Sequence, residues 1–302
     1  MNIVRVPATS ANLGPGYDTL GLALDLWLTV EWRAYPTTVV DVRGEGSDLL
    51  PRDSTNFVYQ ILEATYHDLT GYALPTGHLI IESDIPVARG LGSSAAAVVA
   101  AIRLAYLIAH QDLSAEQCLM RAAAIEHHMD NVAAAIVGGA TLVFTENARP
   151  HYRRFDPPPF PIVLAIPDYL VSTDVARRIL PAMVSRQDAV FNAQRVGLWI
   201  YALSLGAWDV LTWASQDRLH QEARSSLLPG FLHALDQAKS SGAVFVALSG
   251  SGSTVLAMTP AGQQRAVGEA MQEAFLSYGV EARIVNTTAS RTGALDSAPV
   301  SC

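Results

Sequence analysis

The chain has 302 residues, half of them hydrophobic and 16% charged, with a net charge of −8. That length supports one large or two modest globular units, and the composition excludes a disordered chain. The acidic balance leaves no electrostatic footprint for nucleic acid, and all the cations except Lys239 are arginines, whose planar fork suits carboxylates and phosphates.

Residues 3–6 and 22–33 read as strands, and 39–43 as a third. Residues 57–69 carry helical periodicity and stop before Gly71. Residues 78–82 form a strand leading into a glycine-rich turn, and a helix follows over 93–109. Ser114 and Gln117 have capping-box spacing, so a helix starts at Ala115, and 141–145 returns to strand. The chain then meets four prolines within residues 156–161, which fit neither a helix nor a central strand. This is the expected linker, dividing the chain into 1–155 and 156–302. Beyond it, 162–166 reads as strand, then helices over 174–180, 189–204, 208–215 and 231–239. Residues 244–248 and 254–258 read as paired strands, 262–277 as helix and 282–286 as a last strand, with a loose tail from Thr288. The pattern is α+β in two layers.

Two cysteines, Cys118 and Cys302, make neither a disulfide framework nor a zinc site, and a reducing cytoplasm is the expected setting. Met1 to Val6 is a strand rather than a signal sequence. Leu91 to Ala109 is apolar enough to suggest a membrane span, but its Gly-Ser start and Arg103 favour a buried central helix. No membrane partner is expected.

The chemistry concentrates in Pro86-Val87-Ala88-Arg89-Gly90-Leu91-Gly92-Ser93-Ser94-Ala95-Ala96. A glycine turn entering a helix offers unpaired amides and the positive end of the helix dipole, which is a recipe for binding phosphate. Gly-Ser before a helix is equally a plain N-cap. No lysine follows the last glycine, so a Walker loop is excluded. Two further stretches stand out, Pro7 to Asp18 around Asn12-Leu13-Gly14-Pro15-Gly16, and Ala247 to Thr254 around Ser249-Gly250-Ser251-Gly252.

With these three motifs, residues 3–285 resemble the GHMP kinases, small-molecule kinases named for galactose, homoserine, mevalonate and phosphomevalonate. The N-terminal motif resembles the branch that acts on homoserine. The resemblance implies a first domain like ribosomal protein S5 domain 2, which binds ATP, and a ferredoxin-like second domain. It implies ATP and Mg²⁺ as cofactors and L-homoserine as the small-molecule substrate, and it leaves room for a homodimer.

Carried over residue by residue, the resemblance assigns ATP to Pro86, Arg89, Gly90, Leu91, Gly92, Ser93 and Ser94, with Asn56 near the base. Asn56 also reads as a helix N-cap, and Arg89 departs from the small residue expected there, leaving a phosphate contact or a solvent position open. Mg²⁺ falls to Ser94 and Glu126. Ile125-Glu126-His127-His128-Met129-Asp130-Asn131 resembles the family's Glu-Gly-His-Pro-Asp-Asn run, with His127 for Gly and Met129 for Pro. Adjacent His127 and His128 would point about 100° apart on a helix, so they make a poor metal pair. Ser94, Glu126 and Asn131 are the expected catalytic set. Substrate recognition falls to Asn12, Asp18, His128, Asn131, Thr173, Arg177, Arg224 and Gly250. Asp18 suits an ammonium, and Arg177 and Arg224 suit a carboxylate. Thr173 reads both as a helix N-cap and as an active-site hydroxyl, and Arg178 as a neighbour facing away. No residue stands out as a catalytic base. A kinase for shikimate or a mevalonate-type acid, or an inactive small-molecule-binding relative, are the competing readings.

Overall fold

A computed structural model describes residues 2–295. Cys302 and the far end of the tail lie outside them.

Strands β1 (Asn2–Ala11), β2 (Leu20–Ala34), β3 (Val39–Gly44), β4 (Gly77–Ser83), β5 (Ala140–Glu146) and β6 (Arg149–Phe155) form one mixed sheet. Its order is β3-β4-β2-β5-β6, with β1 also on β2; only β3 and β4 run parallel. Helices α1 (Phe57–Thr70), α2 (Ser93–Ile108), α3 (Ala115–Ala122) and α4 (Met129–Val137) pack with it. From Ala95 to Tyr106, α2 is buried at every position except Ala97. It is the hydrophobic-all-round central helix that its composition required. Among the described residues no helix is long and apolar enough to cross a membrane.

The second sheet is antiparallel in the order β10-β7-β9-β8, from β7 (Ile162–Pro167), β8 (Phe245–Leu248), β9 (Val255–Met258) and β10 (Ala282–Thr287). Helices α9 (Phe231–Ser240) and α10 (Gln264–Leu276) bury one face of it, meeting Val163 and Ala165. The alternate residues Ile162, Leu164 and Ile166 join the larger core, with Trp199 of α6 (Arg186–Leu205). Burial on both faces explains why these strands read as unbroken apolar runs. Short helices α5 (Thr173–Arg178), α7 (Leu211–Ala214) and α8 (Gln221–Ser225) complete the second half.

The differences from expectation have local causes. β1 runs past Pro7 through a register shift between Pro7 and Ala8, which accommodates a residue with no N–H to give. The edge strand β6 pairs along its whole length with β5, yet its sequence RPHYRRF has no apolar alternation. α4 was not expected, because His128 at its N-cap makes no side-chain cap bond and so leaves no start signal. The tail is not loose where it is described. Gly139 N donates to Ser290 O, Ser290 N to Ala23 O, and Ala294 N to Ala135 O, and Ala294 is fully buried. Residues 288–295 are tied down by backbone bonds, against the expectation from their small polar composition.

Candidate active site

The two halves meet at a cleft of about 450 Å³. One wall is the start of α2. Gly92 is its N-cap, with a left-handed φ of 69° and no side-chain cap; the first helical bond runs from Ala96 N to Gly92 O at 2.9 Å. The amides of Ser93, Ser94 and Ala95 therefore have no helical partner, and these residues line the cleft. The turn has no space for side chains. A Cβ at Gly92 would lie 1.9 Å from Thr9 Oγ1, and one at Gly90 would lie 2.2 Å from Ser249 O. Ser249 Oγ also donates to Gly90 O at 2.7 Å, so the C-terminal loop supports the glycine turn from behind.

Ser94 Oγ donates to Glu126 Oε2 at 2.8 Å. The other carboxylate oxygen accepts from the His127 amide at 2.9 Å and from His128 Nδ1 at 2.5 Å. Burial alone would raise the Glu126 pKa; the bonds from His128, Ser94 and the His127 amide outweigh it and hold the carboxyl down to about 2. Glu126 meets Ser94 with both departures present in this run. Met129 is the first residue of α4, the position where proline is at home in a helix. His127 contributes its backbone amide here and its side chain is exposed, whereas the His128 ring turns inward to Glu126. Among the described residues no cluster of three or more His, Cys, Asp or Glu side chains could hold a metal. Two hard oxygens, one of them on an ionised carboxylate, nonetheless fit a Mg²⁺ that also binds substrate phosphates.

The opposite end of the cleft is charged. Arg177 grips Asp18 with both guanidinium nitrogens, at 2.6 and 3.1 Å, and its Nε donates to His128 Nε2 at 3.2 Å. The groups expected to take opposite ends of a zwitterion thus pair with each other. Since guanidinium only donates, His128 carries its proton on Nδ1, facing Glu126. That carboxylate contact raises the His128 pKa, and protonating Nε2 would break the bond from Arg177. Arg224 is 2% exposed and bonds only to neutral acceptors, Ala176 O, Gly250 O and His220 Nδ1, at 3.0–3.1 Å. Among the described residues it has no carboxylate within ion-pair distance. Between the two poles, Asn131 Oδ1 accepts from Thr9 Oγ1 at 2.8 Å and lies 3.1 Å from where a Gly92 Cβ would stand.

The cleft brings together Asn12, Asp18, Asn56, Arg89, Gly90 to Ser94, Glu126, His128, Asn131, Thr173, Arg177, Arg224 and Gly250. Pro86 is the exception; it is buried and lines other hollows outside the cleft. Arg89 is half-buried and turned towards the second half, its guanidinium donating to the carbonyls of Pro167, Asp168 and Tyr169. Asn56 does cap α1, accepting from the Val58 amide at 3.0 Å, and its Nδ2 donates to Pro51 O. Asn12 donates to Gly250 O and accepts from the Asp18 amide, so it ties the loop together. Thr173 does not cap α5, whose N-cap is Ser172; its hydroxyl meets Ser251 Oγ at 3.3 Å. Arg178 is exposed, as expected of a neighbour facing away.

Three residues went unread in the sequence, Asp130 in the cleft lining and Tyr17 and Thr9 beside residues that line it. Tyr17 lies within 5.6 Å of both Arg177 and Arg224, ring centroid to guanidinium. Thr9 positions Asn131. Asp130 is 1% exposed, and burial pushes its carboxyl up to about 6 despite a bond from the Asn131 amide. All three sit inside the quoted motifs; burial marks Thr9 and Asp130, and the two arginines over its ring mark Tyr17, neither of which position in the sequence reveals.

Residues 56–139 match the family model for the GHMP kinases N-terminal domain, and residues 200–276 match the GHMP kinases C-terminal model. The chain belongs to the GHMP kinase family. It is 39% identical to a homoserine kinase of Carboxydothermus hydrogenoformans, over 98% of this chain and 97% of that one. It is 41% identical to a homoserine kinase of Desulfitobacterium hafniense, over 96% and 98%. Within the family it falls in the homoserine kinase branch. The crystal structure of a homoserine kinase from Cytophaga hutchinsonii superposes with a TM-score of 0.84 at 25% identity, covering 97% and 96% of the two chains. The structure of an L. major mevalonate kinase in complex with R-mevalonate shares the fold alone, with a TM-score of 0.70 at 15% identity over 97% and 96%.

Proposed function

We propose that this kinase transfers the γ-phosphoryl group of ATP to the hydroxyl of L-homoserine, giving O-phospho-L-homoserine, a step towards threonine. The observation that carries the reading is that uncapped helix amides and a zwitterion-binding set are walls of one cleft. The phosphates take the amides of Ser93, Ser94 and Ala95, with the base towards Asn56. Ser94 and Glu126 hold Mg²⁺, which supplies charge neutralisation on the transferring phosphoryl group. The ammonium of homoserine takes Asp18 and its carboxylate takes Arg177 and Arg224, so the ligand inserts into the Asp18–Arg177 pair without changing the balance of charge. Asn131 orients the hydroxyl, which attacks the γ-phosphorus as the bond to the ADP oxygen breaks. The proton leaves late, to the transferred phosphoryl group or to solvent, and no side-chain base is required in a loose transition state. We also place the division between ATP-binding and second domains at residue 156, and the enzyme in the cytoplasm.

A shikimate or mevalonate-type substrate would leave Asp18 without a cation, and an inactive relative would have no need of the Ser94–Glu126 contact. The test is ADP release with each candidate alcohol. L-Homoserine should be turned over with a kcat/KM at least about a hundredfold above shikimate and mevalonate. Equal turnover, or none with homoserine, would overturn the reading. A pH–rate profile whose single essential base disappears in Asp130→Asn would overturn the baseless step.

A further inference from the structure

The loop from Asn12 to Asp18 holds a costly shape. Asn12, Leu13 and Asp18 are non-glycine residues with φ of 69°, 44° and 52°. Such conformations cost about 1–3 kcal/mol each and persist only where their surroundings over-determine them. Here the surroundings are three side chains of the second half, none of which lines the cleft. Trp199 Nε1 donates to Leu13 O at 2.9 Å, His220 Nε2 to Gly14 O at 2.7 Å, and Asn192 Nδ2 to Pro15 O at 3.1 Å. Three consecutive carbonyls are held by three buried donors. Asp217 fixes two of those donors, accepting from Asn192 Nδ2 at 2.7 Å and from the His220 amide at 2.9 Å.

His220 differs from the other two because its second ring nitrogen reaches an arginine that lines the cleft. Its Nδ1 receives Arg224 at 3.1 Å. A carbonyl can only accept and a guanidinium can only donate, so the ring is neutral with its proton on Nε2. Burial and the Arg224 charge both push its pKa down, in keeping with that state, although Asp217 opposes them. A neutral acceptor orients Arg224 without quenching its charge.

We propose that His220 is a positioning residue for the substrate. One imidazole sets Arg224 for the carboxylate and the Asn12–Asp18 loop for the ammonium, so both poles of the amino acid are registered against each other from behind the cleft. This rests on the homoserine reading above. Among the described residues no hydrogen bond joins His220 directly to the start of α2, and the route through Arg224 and the Ser249–Gly250 loop is indirect.

Two substitutions separate the tasks. His220→Gln can keep a donor for Gly14 O but loses the acceptor for Arg224. His220→Asn can keep the acceptor and loses the donor. In steady-state kinetics each should raise the homoserine KM by about tenfold or more, with the ATP KM within about twofold of wild type. His220→Gln should also erode discrimination against propanolamine, homoserine without its carboxylate, by about tenfold more than His220→Asn. Wild-type turnover of homoserine is measured first, and its absence would sink the kinase reading rather than this one. Wild-type turnover with an unmoved homoserine KM in a folded variant, or with both KM values rising together, would overturn the positioning role. Should His220→Asn not fold, the KM split and the propanolamine comparison of His220→Gln with wild type decide alone.

Discussion

Two buried carboxylates in one cleft have opposite proton affinities, and the difference is read from their partners. Glu126 receives bonds to both oxygens and stays ionised down to about pH 2. Among the described residues Asp130 receives only Asn131, through its backbone amide at 2.8 Å and its Nδ2 at 3.4 Å on the same oxygen, and burial outweighs them, so it titrates at about 6 against an ordinary 3.8. A raised acid contributes stability fully below its ordinary value and loses it as pH climbs through the folded value. At pH 8 the ionised Asp130 therefore costs about 2–3 kcal/mol. Asp130→Asn keeps an oxygen for the Asn131 amide and is expected to raise Tm by about 5 °C at pH 8 and to leave it nearly unchanged at pH 4, as differential scanning calorimetry would show. Glu126→Gln has the converse profile. It removes the carboxylate proposed to hold Mg²⁺ beside Ser94, so kcat should fall about a hundredfold or more while ATP binding, read by titration calorimetry without Mg²⁺, holds within a few fold. Equal losses in both measurements would mean that Glu126 only supports the fold. Arg89 shows where residue type misleads. An arginine beside a glycine-rich helix start suggests an anion, but three carbonyls of the second half take three of its five N–H donors.

At the scale of elements, those with strong start or stop signals were legible. The Ser114–Gln117 capping box makes both of its bonds, and Gly71 ends α1 with a φ of 73°. Ser114→Ala should cost about 1 kcal/mol, read as a lower denaturation midpoint with unchanged slope. Elements whose support is tertiary were not legible. α4 has no cap, β6 has no alternation, and α8 is five residues long. The site divides the same way. The α2 start was visible because local chemistry defines it, whereas the pairing of Asp18 with Arg177 joins residues 159 positions apart and no local rule reaches that far. α2 also shows how tightly element and site are linked. Gly92→Ala would drive a methyl group into Thr9 Oγ1, the donor that sets Asn131. It would also force a side chain into the left-handed region. The expected result is a loss of about 2–4 kcal/mol in stability together with a higher KM for ATP and for the acceptor. A stable variant with normal kinetics would show that the turn can relax.

Over the whole molecule, the return of the chain end to the first sheet is what the composition of the tail concealed. Small polar residues were expected to be loose, yet Thr288, Ser290, Ala294 and Leu295 exchange backbone bonds with Asp25, Ala23, Gly139, Ala135 and Ile136. Two of those acceptors are carbonyls near the C-terminal end of α4, the helix whose first turn carries Asp130 and Asn131. The strap therefore fixes α4 from the end away from the cleft, and it crosses from the last strand of the second sheet to the middle of the first. Net contributions of about 1 kcal/mol per bond put the segment at about 3–5 kcal/mol, a large share of a stability of about 5–15. A chain ending at residue 287 should melt about 10 °C below one ending at residue 295. Because α4 carries Asn131 and α2 carries the amides proposed to bind phosphate, the shorter chain should also lose homoserine affinity more than ATP affinity. Identical melting of the two truncations would show that the strap follows the fold without holding it, and a matched rise in both KM values would break the proposed link from the strap through α4 to the acceptor.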